Sequence, residues 1–140
     1  LPSSYYKNRE KNSSIDLTGK KILIAEDTYP NFKLLEELLS ETNSEIMHAK
    51  NGEEAYAIFK KSGDIDIVLM DIRMPIMDGT ESALRIKEID PLIPIIAQTA
   101  FGYDEYEDDF LDARFDGFLS KPIRRNNLFK TIASLLELNY

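Results

Sequence analysis

A length of 140 residues, 43 % hydrophobic and 30 % charged, describes one ordinary domain with enough apolar side chains for a single core. The absence of cysteine excludes thiol catalysis, disulfides and zinc–cysteine sites, and it fits a reducing compartment. With 17 basic against 25 acidic residues the net charge is −8, which argues against a nucleic-acid binder, and the single histidine, His48, argues against a zinc site.

The chain opens on Leu1 rather than methionine and reads as a piece of a longer protein. Residues 1–20 are polar, carry Pro2 and Gly19, and show no sustained period, so they read as a linker or arm whose end Ile15 and Leu17 can pin to a core. Residues 21–140 then alternate short apolar runs with longer periodic ones. Lys21–Ala25 (KILIA) is a buried strand that stops at the acidic pair Glu26-Asp27. Pro30 suits the first turn of a helix, and Phe32, Leu35, Leu38 and Leu39 mark its apolar face through about Glu41. Glu45–Ala49 is a second strand holding His48, which reads as a surface residue away from the acids. Asn51-Gly52 leads into a helix with Ala55, Ile58 and Phe59 inward, ended by Gly63.

Asp66–Met70 is a third strand, again with a carboxylate, Asp71, at its end. In the loop IRMPIMDG, Met74 and Met77 read as anchors, and Gly79 as a residue with backbone freedom. A helix from about Thr80 turns Ala83, Leu84 and Ile86 inward. Ile93–Gln98 is a strand in which Pro94 demands a place where no N–H is needed. Asp104–Leu111 is a weakly amphipathic acidic helix, and Phe115–Leu119 is a last strand leading to Ser120-Lys121-Pro122. Leu128, Ile132, Leu135 and Leu136 give the final helix its face. No run approaches the ~18 apolar residues of a membrane span.

Strict alternation of strands and helices, with strands apolar throughout, specifies an α/β fold: a doubly wound five-stranded parallel sheet with helices on both faces. The order 2-1-3-4-5 makes strands 1 and 3 neighbours. In such sheets the working site lies beyond the carboxyl ends of the strands, where this chain delivers Glu26, Asp27, Asp71, Thr99 and Lys121. Three clustered carboxylates repel one another, and one lysine does not balance them. Hard oxygen donors in that arrangement point to Mg²⁺ and to phosphoryl chemistry.

At these residues the chain resembles the receiver domains of bacterial two-component response regulators, a flavodoxin-like fold. The matching pieces are ILIAED at 22–27, NGEEA at 51–55, DIVLMDIRMPIMDG at 66–79, Thr99-Ala100 and FLSKP at 118–122, in order and over about residues 20–138. The resemblance implies that Asp71 accepts a phosphoryl group from a kinase phosphohistidine. It implies that Glu26, Asp27, Asp71 and the main-chain carbonyl of Arg73 form the metal site, and that Lys121 pairs with phosphoryl oxygens. Thr99 and Phe118 become the switch pair, and the bond before Pro122 is expected to be cis. Arg73 and Phe101, two residues beyond the acceptor and the threonine, would flank the attacking water and slow the loss of phosphate.

The entry LTGKKILIAED is similar to that of receivers fused behind the kinase core of hybrid sensor histidine kinases. This implies a cytoplasmic place in a phosphorelay, in a membrane-anchored parent, with a histidine kinase core or a histidine phosphotransfer domain as partner. It also implies pairing of two copies through the surface of the fourth helix, fifth strand and fifth helix, while the net charge of −8 speaks against direct contact with nucleic acid and no direct contact with membrane is expected. A magnesium-dependent aspartyl phosphatase is the rival reading, but it wants an acid where Arg73 stands, and arginine does not give up its proton near neutral pH. A flavodoxin-like ligand-binding module lacks a phosphate loop in EDTYPN. A docking module that works without phosphorylation would not need Asp27, Asp71, Thr99 and Lys121 together.

Overall fold

The computed structural model describes residues 14–100 and 114–140; Phe101 and the helix predicted at 104–111 lie outside them. Its elements are β1 (Lys21–Ala25), α1 (Tyr29–Leu39), β2 (Glu45–Ala49), α2 (Gly52–Ser62), β3 (Ile67–Asp71), α3 (Gly79–Ile89), β4 (Ile95–Thr99), β5 (Gly117–Ser120) and α4 (Arg125–Leu136). The five strands are parallel and lie in the order β2-β1-β3-β4-β5. This is the predicted doubly wound, flavodoxin-like sheet.

Both faces of the sheet are covered, which is why its strands are apolar at successive positions. On one face Ile22, Ile24, Leu69, Ile96 and Leu119 pack under Phe32, Leu35 and Leu39 of α1 and Leu128, Phe129 and Ile132 of α4. Ile15 and Leu17 join that cluster, and the Leu17 N–H donates to the Thr42 carbonyl at 2.7 Å. On the other face Leu23, Ala25, Val68, Met70 and Ile95 meet Ala55 and Phe59 of α2 and Ala83 and Ile86 of α3. Among the described residues no helix is long and apolar enough to cross a membrane.

Local chemistry sets the helix ends. Asn51 and Asp78 cap α2 and α3, their side-chain oxygens accepting from the N–H groups of Glu54 at 2.8 Å and Glu81 at 2.9 Å. Gly63 closes α2 in the left-handed region at φ 69°. Where the structure departs from the sequence reading, each departure has a cause. Asp66 lies just before β3 because its carboxylate accepts from the Lys21 N–H at 2.7 Å, while Asp71 is the last residue of the ladder. Pro94 precedes β4 and contributes only its carbonyl, to the Val68 N–H at 3.0 Å, so its missing donor is not needed in a central strand. Leu84 is exposed rather than inward; α3 instead buries Ser82, Ala83, Ile86 and Lys87. The Ser82 hydroxyl donates to the Gly52 carbonyl at 2.7 Å, a bond that ties α3 to α2.

Gly79 serves space and not torsion: a Cβ there would be driven into the Asp71 carbonyl oxygen. The positive φ of the β3–α3 loop falls on Ile76, at 72°.

Candidate functional site

The carboxyl ends of β1, β3 and β4, together with the residue after β5, meet in one cavity of about 220 Å³. Glu26, Asp27, Asp71, Thr99, Arg73 and Lys121 line it, together with Gln98. Glu26, Asp27 and Asp71 each offer a carboxylate oxygen, and these oxygens all lie within 4.8 Å of one another. Glu26 and Asp71 are buried, whereas Asp27 is exposed, so the cluster opens to solvent on one side.

The charges are compensated from one direction. The Lys121 ammonium stands 3.2 Å from Glu26 Oε2 and 3.2 Å from Asp71 Oδ2. Burial alone would lower the Lys121 pKa, but the Asp71 and Glu26 carboxylates overcome it and hold the ammonium above its ordinary range. Asp71 shifts the other way. Its burial first, and the Glu26 charge second, raise its pKa to about 7 against the opposing pull of Lys121 and the Arg73 N–H.

Glu26 has a second set of partners that the sequence reading missed. Its Oε1 accepts from the Thr28 N–H at 3.3 Å, the Thr28 hydroxyl at 3.0 Å and the Asn31 amide at 3.4 Å. Thr28 is the N-cap of α1 but makes no side-chain cap of its own, so the Glu26 carboxylate takes over at this helix start. His48 also differs from expectation. It is half-buried, its ring stacks on Phe32 with centroids 3.7 Å apart, and its Nε2–H donates to the Glu26 carbonyl at 2.8 Å. The physical reason is register: His48 pairs with Ile24 across β1 and β2, one residue short of the strand end where the acids begin.

The remaining predicted residues fall as follows. The Arg73 side chain is exposed at the cavity rim, and its N–H donates to Asp71 Oδ1 at 3.3 Å. Thr99 ends β4 and is buried. Phe118 is half-buried on β5, edge-on to Phe115 with centroids 6.2 Å apart, and packs against Ile72 and Ala97 outside the cavity lining. Phe101 is outside the described residues. The Lys121–Pro122 bond is cis.

The family described as "Response regulator receiver domain" matches residues 22–133. This chain belongs to that family. It is 36 % identical to the chemotaxis protein CheY of Halobacterium salinarum over 118 residues, covering 84 % of this chain and 98 % of that one. It is 34 % identical over 138 residues to hybrid signal transduction histidine kinase I of Dictyostelium discoideum, covering 89 % of this chain but only 8 % of the kinase. Among solved structures, CheY in a CheX–CheY–BeF3–Mg complex from Borrelia burgdorferi superposes with a TM-score of 0.78 at 30 % identity, covering 84 % of this chain and 90 % of that one.

A receiver is a phosphoacceptor switch, the accepting half of a phosphotransfer and not a stand-alone enzyme, and that is the function of this domain. Its acidic cluster has the hard oxygen donors, the excess negative charge and the open side that coordination of a divalent cation requires.

Proposed function

We propose that Asp71 is the phosphoaccepting carboxylate, in a domain formed by residues 21–140 behind an arm at 1–20. A single observation carries this reading: Asp71 Oδ2 lies 3.2 Å from Lys121 Nζ, while its carboxylate shares one open cavity with Asp27 and Glu26. The Asp71 oxygen attacks phosphorus, and the bond from phosphorus to the histidine nitrogen breaks with its electron pair returning to the imidazole. Lys121 orients the phosphoryl oxygens and offsets their charge. Glu26, Asp27, Asp71 and the Arg73 carbonyl would hold Mg²⁺, which would supply further neutralisation of the phosphoryl charge. After transfer, the Thr99 hydroxyl is drawn toward the new oxygens and Phe118 repacks beside it, changing the surface of β5 and α4.

The phosphate donor in this reading is a histidine kinase core or a histidine phosphotransfer domain. The setting is a cytoplasmic phosphorelay within a hybrid, membrane-anchored kinase, a reading supported by the resemblance to the Dictyostelium hybrid kinase. Two copies pair through the surface of β5, α4 and the helix predicted at 104–111. The acidic balance of −8 disfavours direct binding to nucleic acid or to anionic membrane.

Incubation with Mg²⁺ and acetyl phosphate, followed by intact mass measurement, is the test. The expected result is one added phosphoryl group on the wild type and none on Asp71→Asn; modification that persists in the variant rejects the assignment. Followed over time, the same assay reads the lifetime of the phosphate. Arg73 and Phe101 are assigned to shielding it, so Phe101→Gly is expected to shorten the half-life, and an unchanged half-life removes that role.

A further inference from the structure

Strand parity places a fourth side chain in the acid row. Asp71 and Gln98 are Cα partners across β3 and β4, and in a parallel pair register partners point to the same face. Two residues earlier on each strand, Leu69 and Ile96 lie together in the cluster beneath α1 and α4, as do Ile24 and Leu119. Glu26, Asp71, Gln98 and Lys121 therefore follow one another along a single edge of that face. Gln98 is 1 % exposed, and with Lys121 it lines both the acid cavity and a cavity of about 50 Å³ beneath Leu34 and Ile123.

Three members of the row are hydrogen-bonded. Glu26 accepts from Thr28, Asn31 and Lys121, and Asp71 accepts from the Arg73 N–H and is paired with Lys121. Gln98 Nε2 is different: it has no hydrogen-bond partner among the described residues. A buried amide donor without an acceptor destabilises the fold, and leucine at this buried position would carry no such cost.

We infer that the Gln98 amide is a donor held in place for the phosphorylated form of Asp71, an inference that rests on Asp71 being the acceptor. In the resting site the Lys121 ammonium is shared by Asp71 Oδ2 and Glu26 Oε2. Phosphorylation adds several strong acceptor oxygens that compete for that ammonium. Gln98 is the register partner of Asp71 on the same face, and the Gln98 N–H takes the Asp71 carboxyl oxygen that Lys121 gives up. Gln98 is then a positioning residue that favours the phosphorylated over the resting state, at the expense of resting stability.

The test uses beryllofluoride, a mimic of the phosphoryl group, titrated calorimetrically in saturating Mg²⁺ into the wild type, Gln98→Leu and Gln98→Met. The expected result is affinity about tenfold weaker in both variants, equivalent to about 1.4 kcal/mol. The ligand-free variants are expected to melt at or above the wild-type temperature, and Mg²⁺ affinity alone to change less than twofold. Unchanged beryllofluoride affinity in both variants overturns the inference. So does a lower melting temperature in both ligand-free variants, since the amide would then be bonded in the resting fold. Failure of the wild type itself to bind beryllofluoride rejects Asp71 as acceptor, and the inference with it; that result is read without reference to the variants.

Discussion

Burial and the neighbouring Glu26 charge raise the Asp71 pKa from 3.8 to about 7, and this shift is also a statement about stability. Between those two values the folded chain holds a proton that the unfolded chain has already released. Metal-free stability therefore falls as pH rises from about 4 to about 7 and levels off above, by up to about 4 kcal/mol from this group. Asp71→Asn removes the cost. In the absence of metal the variant is expected to melt higher than the wild type at about pH 8, with the difference closing toward about pH 4. Thermal melts across that range check it, and a lower or equal melting temperature at the alkaline end would count against the crowding of Asp71 by Glu26.

At the scale of one element, the β3–α3 loop shows how backbone geometry serves the site. The Met77 N–H donates to the Pro75 carbonyl at 2.8 Å across Ile76, a three-residue turn that leaves a β-branched residue at φ 72° and 77 % exposed. Left-handed torsion costs a β-branched residue about 1–2 kcal/mol. Glycine adopts the same torsion freely, and Ile76→Gly is expected to stabilise the protein by about 1 kcal/mol despite the added freedom of the unfolded chain. Gly79→Ala should act in the opposite direction, because its Cβ meets the Asp71 carbonyl. Its expected cost is about 2–3 kcal/mol. Urea unfolding midpoints distinguish the two; a destabilised Ile76→Gly or a neutral Gly79→Ala would contradict this account of the loop.

Across the whole molecule the two ends of the sheet carry opposite kinds of polar chemistry. At the carboxyl end three acids cluster, and two of them, Glu26 and Asp71, share one lysine. At the amino end Lys87 of α3, 6 % exposed, donates to the Ile93 carbonyl at 2.6 Å and to Asp116 Oδ2 at 2.7 Å, while the same Asp116 oxygen accepts from the Ile95 N–H at 2.8 Å. That group ties α3 to the starts of β4 and β5 with each charge paired. Lys87→Met leaves Asp116, one-third exposed and still bonded to the Ile95 N–H, without its cation, and the expected loss is about 1–2 kcal/mol. Chemical denaturation measures the loss, and Mg²⁺ affinity in the same variant is expected to match the wild type. A variant as stable as the wild type would mean that the pair contributes nothing to holding α3.

Much of this was legible in the chain. Apolar runs of strand length that end in Asp27, Asp71 and Thr99 reveal both the parallel sheet and the edge where its chemistry collects, because buried strands tolerate polar groups only where they emerge. The helix starts after Asn51 and near Thr80 follow from local pattern, and the caps that Asn51 and Asp78 make there are local hydrogen bonds. Periodicity tells which face a residue occupies, however, and not what stands opposite. In the sequence Gln98 is only the last residue of a strand; the register with Asp71 sets it on the same face as the acids. His48 looked like a surface residue until β2 lay against β1 and brought its ring to the Glu26 carbonyl. Leu84 and Ile76 depended on how α3 is rotated and on how tightly its loop returns. The sequence by itself determined the sheet, its faces and the edge that carries charge, since these depend on local pattern. Only the tertiary structure decided which side chains share a hydrogen bond or an ion pair, since these depend on distances between strands far apart in the chain.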